Sequence, residues 1–511
     1  MKKNLFYVKV VCFYIASINF LYAGVNTTNK EIFTYEEQNP LYALSSKNPI
    51  AKLLEIQNVF PLTSIVDIGC GNPKWLTSTI LPFTYCGVDI VDSIIEKNIL
   101  TYPNASFVSM DVAQEKIPDA DLILCQNTLE YLSFFTIYNA LTTCKNSKAS
   151  YILLSTYPEQ KVNRETSTGL YRKINFQEFP FYFPTPKKLY KEQEGKWLGL
   201  WNVQDLNLEN LLSTIFPPLT VLSKPVGKPL SWEHPAVMGS VRRGLSQMHP
   251  NFSINPDLLS QVKENIFILC DYEAGINAYR WKEQHKIKKL LIGPNMVGTP
   301  SEHNGFVCLP LIDIYLHPSE WTREGFIATE PSLENRISLW PAGVDECYWS
   351  PKEFFNIKNS NTILVYCKTD FDLCDQVEST LHKLGFAVER ITYGHYSAEE
   401  FKQACNRCKF AVFISRSESQ GIALAEAWSM DLPTLVWDIQ GDITYQDVVF
   451  HNVSAAPYLS AMTGKKWKNL EELIELIQRI DCYKHEFHPR RWVLLHMTDK
   501  VCVEQLLSYI R

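Results

Sequence analysis

Short apolar runs recur along the chain, each closed by Gly, Pro, Asn or Asp, and between them lie stretches whose apolar residues repeat at helical spacing. That alternation predicts α/β units built on parallel sheets. Residues 64–68 (SIVDI), 121–125 (DLILC), 266–270 (IFILC), 289–295 (KLLIGPN), 362–367 (TILVYC) and 410–414 (FAVFI) read as buried strands. Further short strands are expected at 219–224 and 255–256, and 313–321 (DIYLHPSEW) reads as a strand with its turn. Helices are expected at 236–248, at 422–430 and, from the apolar stripes of NLEELIELIQRI and VCVEQLLSYI, after Lys468.

Two turns in this pattern carry chemistry. In residues 415–433 (SRSESQGIALAEAWSMDLP), Glu418 and Glu426 stand on either side of a glycine turn that leads from a strand into a helix. Ligands of open α/β sheets bind at the carboxyl ends of strands, and N–H groups at Ser419, Gln420 and Gly421 can receive a diphosphate there. Each carboxylate can accept from vicinal hydroxyls. The second turn, VDIGCGNPKW at 66–75, places Asp67, Gly69 and Gly71 after a strand, and Asp89 closes the next strand about twenty residues on. A dinucleotide site would want a third glycine, but Trp75 and Leu76 follow Pro73 and Lys74.

The E-x7-E spacing from Glu418 to Glu426, with its strand, turn and helix, resembles the retaining nucleotide-sugar glycosyltransferases of family 4. That resemblance implies the two-lobed GT-B fold, a nucleotide sugar as donor and no requirement for a metal ion. It implies that Glu426 holds the donor ribose and that Glu418 lies near the transferred sugar, with Ser419, Gln420 and Gly421 toward the phosphates. Lys368 stands where the family has a basic residue, whereas the usual arginine is absent, so diphosphate neutralisation falls to Lys368 and Arg416. Glu418, Lys368 and Arg416 are thus the expected catalytic set. Residues 336–351 (RISLWPAGVDECYWSP) resemble the passage from first lobe to second, and GKPLSWEHP, with Gly227 and His234, the first loop turned toward the donor. Arg242 and Arg243, in SVRRGL, read as solvated side chains.

The earlier turn is similar to that of class I methyltransferases, which bind S-adenosylmethionine. The likeness implies that Gly69 and Gly71 face the methionine portion, Asp89 the ribose and Asp111, in FVSMDVA, the adenine amino group, with Asp67 in the same turn. Tyr131, in QNTLEYL, stands where many relatives carry histidine, and the general base is left unassigned. Residues 163–205 resemble the tail of a branch of small methyltransferases with DxGCGxxxWL and PFxFPxP signatures. Their aromatics and prolines read as an irregular lid, with Arg172, Glu192 and Trp201 facing a substrate.

A length of 511 residues suits roughly three domain-sized units. The expected division is a signal-like or membrane-tethering segment at 1–23, a Rossmann-like methyltransferase domain at 40–215, and GT-B lobes at 218–345 and 346–511. A net charge of −6 without a polybasic tract argues against a nucleic-acid partner. Met1–Lys3 and the apolar stretch to Ala23 leave three readings open: a cleaved signal, a membrane tether, or translation upstream of the true start. The fourteen cysteines lack regular spacing and read as thiols, with one C-x-x-C at Cys405 and Cys408. A cytoplasmic protein with peripheral membrane contact is expected, and an exported one if the segment is cleaved. Together the resemblances imply a bifunctional methyltransferase and glycosyltransferase acting on a glycan or glycolipid. The alternatives are one active half beside a scaffold, or a carbohydrate-binding protein without activity.

Overall fold

The computed structural model describes residues 29–34, 49–78, 80–193, 195–230, 233–248, 251–294, 296–354, 360–483 and 485–511, so the segment 1–23 lies outside the described residues. The chain divides into two units, Met1–Phe216 and Pro217–Arg511.

In the first unit the strands are β1 (Ser64–Ile68), β2 (Thr84–Asp89), β3 (Ser106–Ser109), β4 (Leu122–Cys125), β5 (Tyr151–Thr156), β6 (Lys188–Gln193) and β7 (Lys196–Asn202). They form one sheet in the order β3-β2-β1-β4-β5-β7-β6. The first five are parallel, and β7 runs antiparallel between β5 and β6. Every residue of β4 is buried, as a central strand covered on both faces requires. The order reverses between β1 and β4, which opens a crevice at their carboxyl ends.

This sheet corrects the lid expected over 163–205. Its second half supplies β6 and β7: β6, the edge strand, is largely exposed, and β7, between β5 and β6, is largely buried. The irregular part packs on itself: Phe176 stacks on Phe183 at 5.2 Å, Phe183 meets Trp201 at 5.9 Å, and Trp201 is buried with its N–H donated to Pro184 O.

The second unit holds two parallel sheets. One comprises β8 (Leu219–Leu222), β9 (Phe252–Ile254), β10 (Asn265–Ile268), β11 (Lys289–Ile292), β12 (Ile314–His317) and β13 (Ile337–Leu339), ordered β13-β12-β11-β10-β8-β9. The other comprises β14 (Thr362–Cys367), β15 (Ala387–Thr392), β16 (Ala411–Ile414), β17 (Thr434–Trp437) and β20 (Gly464–Trp467), ordered β15-β14-β16-β17-β20. Between β17 and β20 an antiparallel hairpin, β18 (Gly441–Tyr445) with β19 (Val448–Val453), leaves the sheet. Both sheets are doubly wound, with switch points between β8 and β10 and between β14 and β16. The expected strand at 255–256 is displaced to β9, because Asn255 turns into the left-handed region at φ 47°.

The last helix, Asp499–Ser508, leaves the second sheet's layer. It returns to the first sheet's layer, where its Asp499 takes the Arg243 guanidinium of the helix Pro235–Met248. Gly244 is the point of closest approach, since a side chain there would meet Asp499 O at 2.5 Å. Trp340, after β13, donates its N–H to Cys502 O at 2.8 Å and fastens the same contact.

Candidate functional site

In the first unit the glycine turn runs from the end of β1 into the switch-point crevice. Gly69 (φ 68°) adopts a backbone that side chains rarely reach, and a Cβ there would collide with Thr128, whose hydroxyl donates to Ile68 O at 3.0 Å. The carboxylate of Asp89, at the end of β2, accepts from Gly71 N at 3.0 Å and Val91 N at 3.1 Å, so the loop is fitted around it. Asp111, beyond β3, accepts from Ala113 N, Gln114 Nε2 and Asn29 Nδ2 at 2.9 to 3.0 Å. Gly69, Asp89, Asp111, Val112 and Thr128 share a cavity of about 50 Å³, which Asn29 and Phe33 also line.

Of the residues expected here, Gly69, Asp89 and Asp111 line the cavity, whereas Asp67 and Gly71 do not. Asp67 points instead to the Tyr85 hydroxyl at 2.7 Å, and burial pushes its carboxyl up to about 7. The three residues expected to face a substrate are turned inward. Glu192 is spent on Lys196 and Gln126, Arg172 lies over the Phe134 ring at 4.7 Å, and Trp201 belongs to the aromatic cluster. Tyr131 rests 5.3 Å from Tyr171, outside the cavity lining. Its neighbour Glu130, unmarked by any motif, is fully buried and pushed up to about 7 by burial, against the pull of Lys196 and Arg172.

In the second unit a cavity of about 350 Å³ lies at the switch point of β14 and β16, and His234 and Pro318 from the first sheet's loops complete it. The start of the helix Ile422–Ser429 lines it, with Gly421 held left-handed at φ 82° so that the chain can turn from Glu418 into the helix. First-turn N–H groups have no acceptor within their own helix, and this end carries the positive pole of the helix dipole. Lys368 Nζ sits 2.9 and 2.8 Å from the two oxygens of Glu418 and 4.6 Å over the Tyr393 ring. Glu418 is gripped through its backbone as well, since its N–H donates to Ser454 O at 2.9 Å and its carbonyl accepts from Trp321 Nε1 at 3.0 Å. Glu426 is half-buried in the cavity wall, and desolvation pushes its carboxyl up to about 8, with Arg243 pulling it back.

Glu418, Lys368, Ser419, Gln420, Gly421 and Glu426 are therefore brought together, and Arg416 is not. Its guanidinium, exposed at the surface, makes two 2.8 Å hydrogen bonds to the less exposed carboxylate of Asp370. The Gln420 side chain is also committed, since it donates to Ala342 O and accepts from Ala342 N, locking the turn to the segment that joins the lobes. His234 lines the cavity and Gly227 does not. Arg243, expected to be solvated, is paired with Asp499 and lies within electrostatic reach of Glu426. Sequence reasoning also passed over Tyr366, Tyr393, Tyr396 and Phe413, a wall of rings suited to stacking on a base or sugar. The run TYGHYS following β15 was the available signal for two of them.

Among the described residues, no three His, Cys, Asp or Glu side chains gather as metal ligands, and no helix is long and apolar enough to cross a membrane. Cys405 and Cys408 are both buried.

No protein-family model matches the chain. A putative methyltransferase, 235L of Invertebrate iridescent virus 6, is 33% identical over 89 residues, which are 17% of this chain and 32% of that protein. The chain thus spans about a third of the length of that curated relative. Among solved structures, a TehB-like SAM-dependent methyltransferase from Corynebacterium glutamicum aligns over 34% of this chain and 97% of its own, at 15% identity and a TM-score of 0.23. The apo form of the lipopolysaccharide outer core galactosyltransferase WaaB aligns over 57% of this chain and 99% of its own, at 11% identity and a TM-score of 0.38. The strand order of the first unit, with an antiparallel strand slotted beside its last one, is that of the class I methyltransferase fold. The paired doubly wound sheets of the second are those of GT-B.

Proposed function

We propose that the chain is a bifunctional transferase whose first unit takes a methyl group from S-adenosylmethionine and whose second takes a sugar from a nucleotide sugar, both for a glycan or glycolipid acceptor. The observation that carries this reading is that each unit has a crevice at a switch point of its sheet, with carboxylates set at the strand ends around it.

In the first unit, Asp89 accepts from ribose hydroxyls, Asp111 from the adenine amine, and the Gly69 backbone lets the ligand approach closely. S-adenosylmethionine supplies the methyl group already activated as a sulfonium. The protein's part is to orient the acceptor and exclude water. In the second unit, the Glu426 carboxyl accepts from the donor ribose through its carbonyl oxygen, and the helix start together with Lys368 takes the diphosphate. As Lys368 turns to the phosphates it releases Glu418 for the hydroxyls of the transferred sugar. Charge gathering on the leaving diphosphate is then met by fixed dipoles and one ammonium.

Calorimetric titration of the full chain with S-adenosylmethionine and with a panel of nucleotide sugars tests this. Asp89→Ala is expected to abolish binding of the first and spare the second, and Glu426→Ala the reverse. A chain that binds neither donor, or loses both with one substitution, contradicts the reading.

A further inference from the structure

Residues 29–34 form a helical turn seated on the methyl-donor crevice. Asn29, Ile32 and Phe33 are buried, at 4%, 3% and 7% exposure. Asn29 donates its side-chain amide to Asp111 Oδ2 at 3.0 Å, Phe33 lines the same cavity, and Lys30 pairs with Asp92 at 2.6 Å just past Asp89. The space left is about 50 Å³, against the ~300–1,000 Å³ of an ordinary small-molecule site. A cavity of that size does not admit a nucleoside.

We propose that residues 29–34 are a resident plug of the methyl-donor pocket, in which the Asn29 amide and the Phe33 ring take the place of the adenine amine and ring. The chemistry matches group by group. A carboxamide NH2 and an exocyclic NH2 are the same kind of donor to the Asp111 carboxylate, and each comes with or beside an aromatic plane in an apolar slot lined by Ile68, Val88 and Met110. Ligand and plug therefore exclude one another. The apparent affinity for S-adenosylmethionine is the intrinsic affinity reduced by the fraction of molecules in which the plug is withdrawn. The Lys30–Asp92 pair is exposed on both sides and adds little, so the hold lies in Asn29 and Phe33. This inference rests on the methyl-donor reading of the first unit.

The test uses the full chain and S-adenosylmethionine itself, read by calorimetry and by amide hydrogen exchange. The double substitution Asn29→Ala with Phe33→Ala is expected to tighten binding by about tenfold or more, since a hydrogen bond to a carboxylate and a buried ring no longer compete. In the unaltered chain, saturating S-adenosylmethionine is expected to speed exchange in residues 29–34. Unchanged or weaker binding by the double variant, or slowed exchange in that segment, overturns the plug and makes the segment an ordinary wall of the site. If neither protein binds S-adenosylmethionine, the methyl-donor reading fails and the plug with it.

Discussion

Glu426 shows what a single side chain asks of this fold. Its carboxyl is half-buried midway along the helix Ile422–Ser429, and desolvation lifts it from 4.5 to about 8. The folded chain therefore keeps a proton that the unfolded chain sheds, so the unfolded state binds fewer protons across that window and stability falls as pH rises through it. Glu426→Gln removes the titrating group while keeping its shape. Its stability advantage over the parent is expected to be absent near pH 4.5 and to grow toward about pH 8, as measured by urea unfolding across that range. An advantage that stays flat with pH would mean that Glu426 is ionised in the folded chain. Lys368 and Arg416 differ at the same scale, although the sequence offered both as diphosphate cations. Lys368 shares the cavity with Glu418, while Arg416 is tied to Asp370, a partner that only folding brings near.

At the scale of elements, the helix Asp499–Ser508 closes the second unit by lying against the helix Pro235–Met248, and Gly244 leaves no room between them. Gly244→Ala would put a methyl 2.5 Å from Asp499 O, and is expected to cost about 1–3 kcal/mol in urea unfolding. Gly441→Ala, at the exposed start of β18 with nothing within 4 Å, is expected to stay within about 0.5 kcal/mol. Equal costs would contradict the docking of the last helix. The strands legible in the sequence were those buried on both faces, such as β4, β14 and β16, where continuous apolar runs leave little choice. β18 escaped because all of its residues are exposed, so no period betrays it. β6 and β7 were hidden by the prolines and aromatics just upstream, an irregular run whose rings pack with Trp201 of β7. Arg243 was misread because its partner, Asp499, is 256 residues away, and no local pattern carries such a pairing. The glycine turn and the two glutamates were legible since strand, turn and helix are all local. The aromatic wall opposite comes from separate strands and loops.

As a whole, the molecule is two α/β units, each with its own crevice at a switch point and its own carboxylates. The central claim is that these crevices take two different donors. A ligand that binds only folded protein raises the unfolding temperature of the unit that holds it, roughly 5 °C or more at a hundredfold excess over the dissociation constant. Differential scanning calorimetry of the full chain alone, with S-adenosylmethionine, with each of a panel of nucleotide sugars, and with both ligands tests this directly. The account predicts that S-adenosylmethionine shifts one transition, that a nucleotide sugar shifts the other, and that the two shifts persist together. A single transition moved by only one class of ligand, or mutual exclusion of the two, would contradict it.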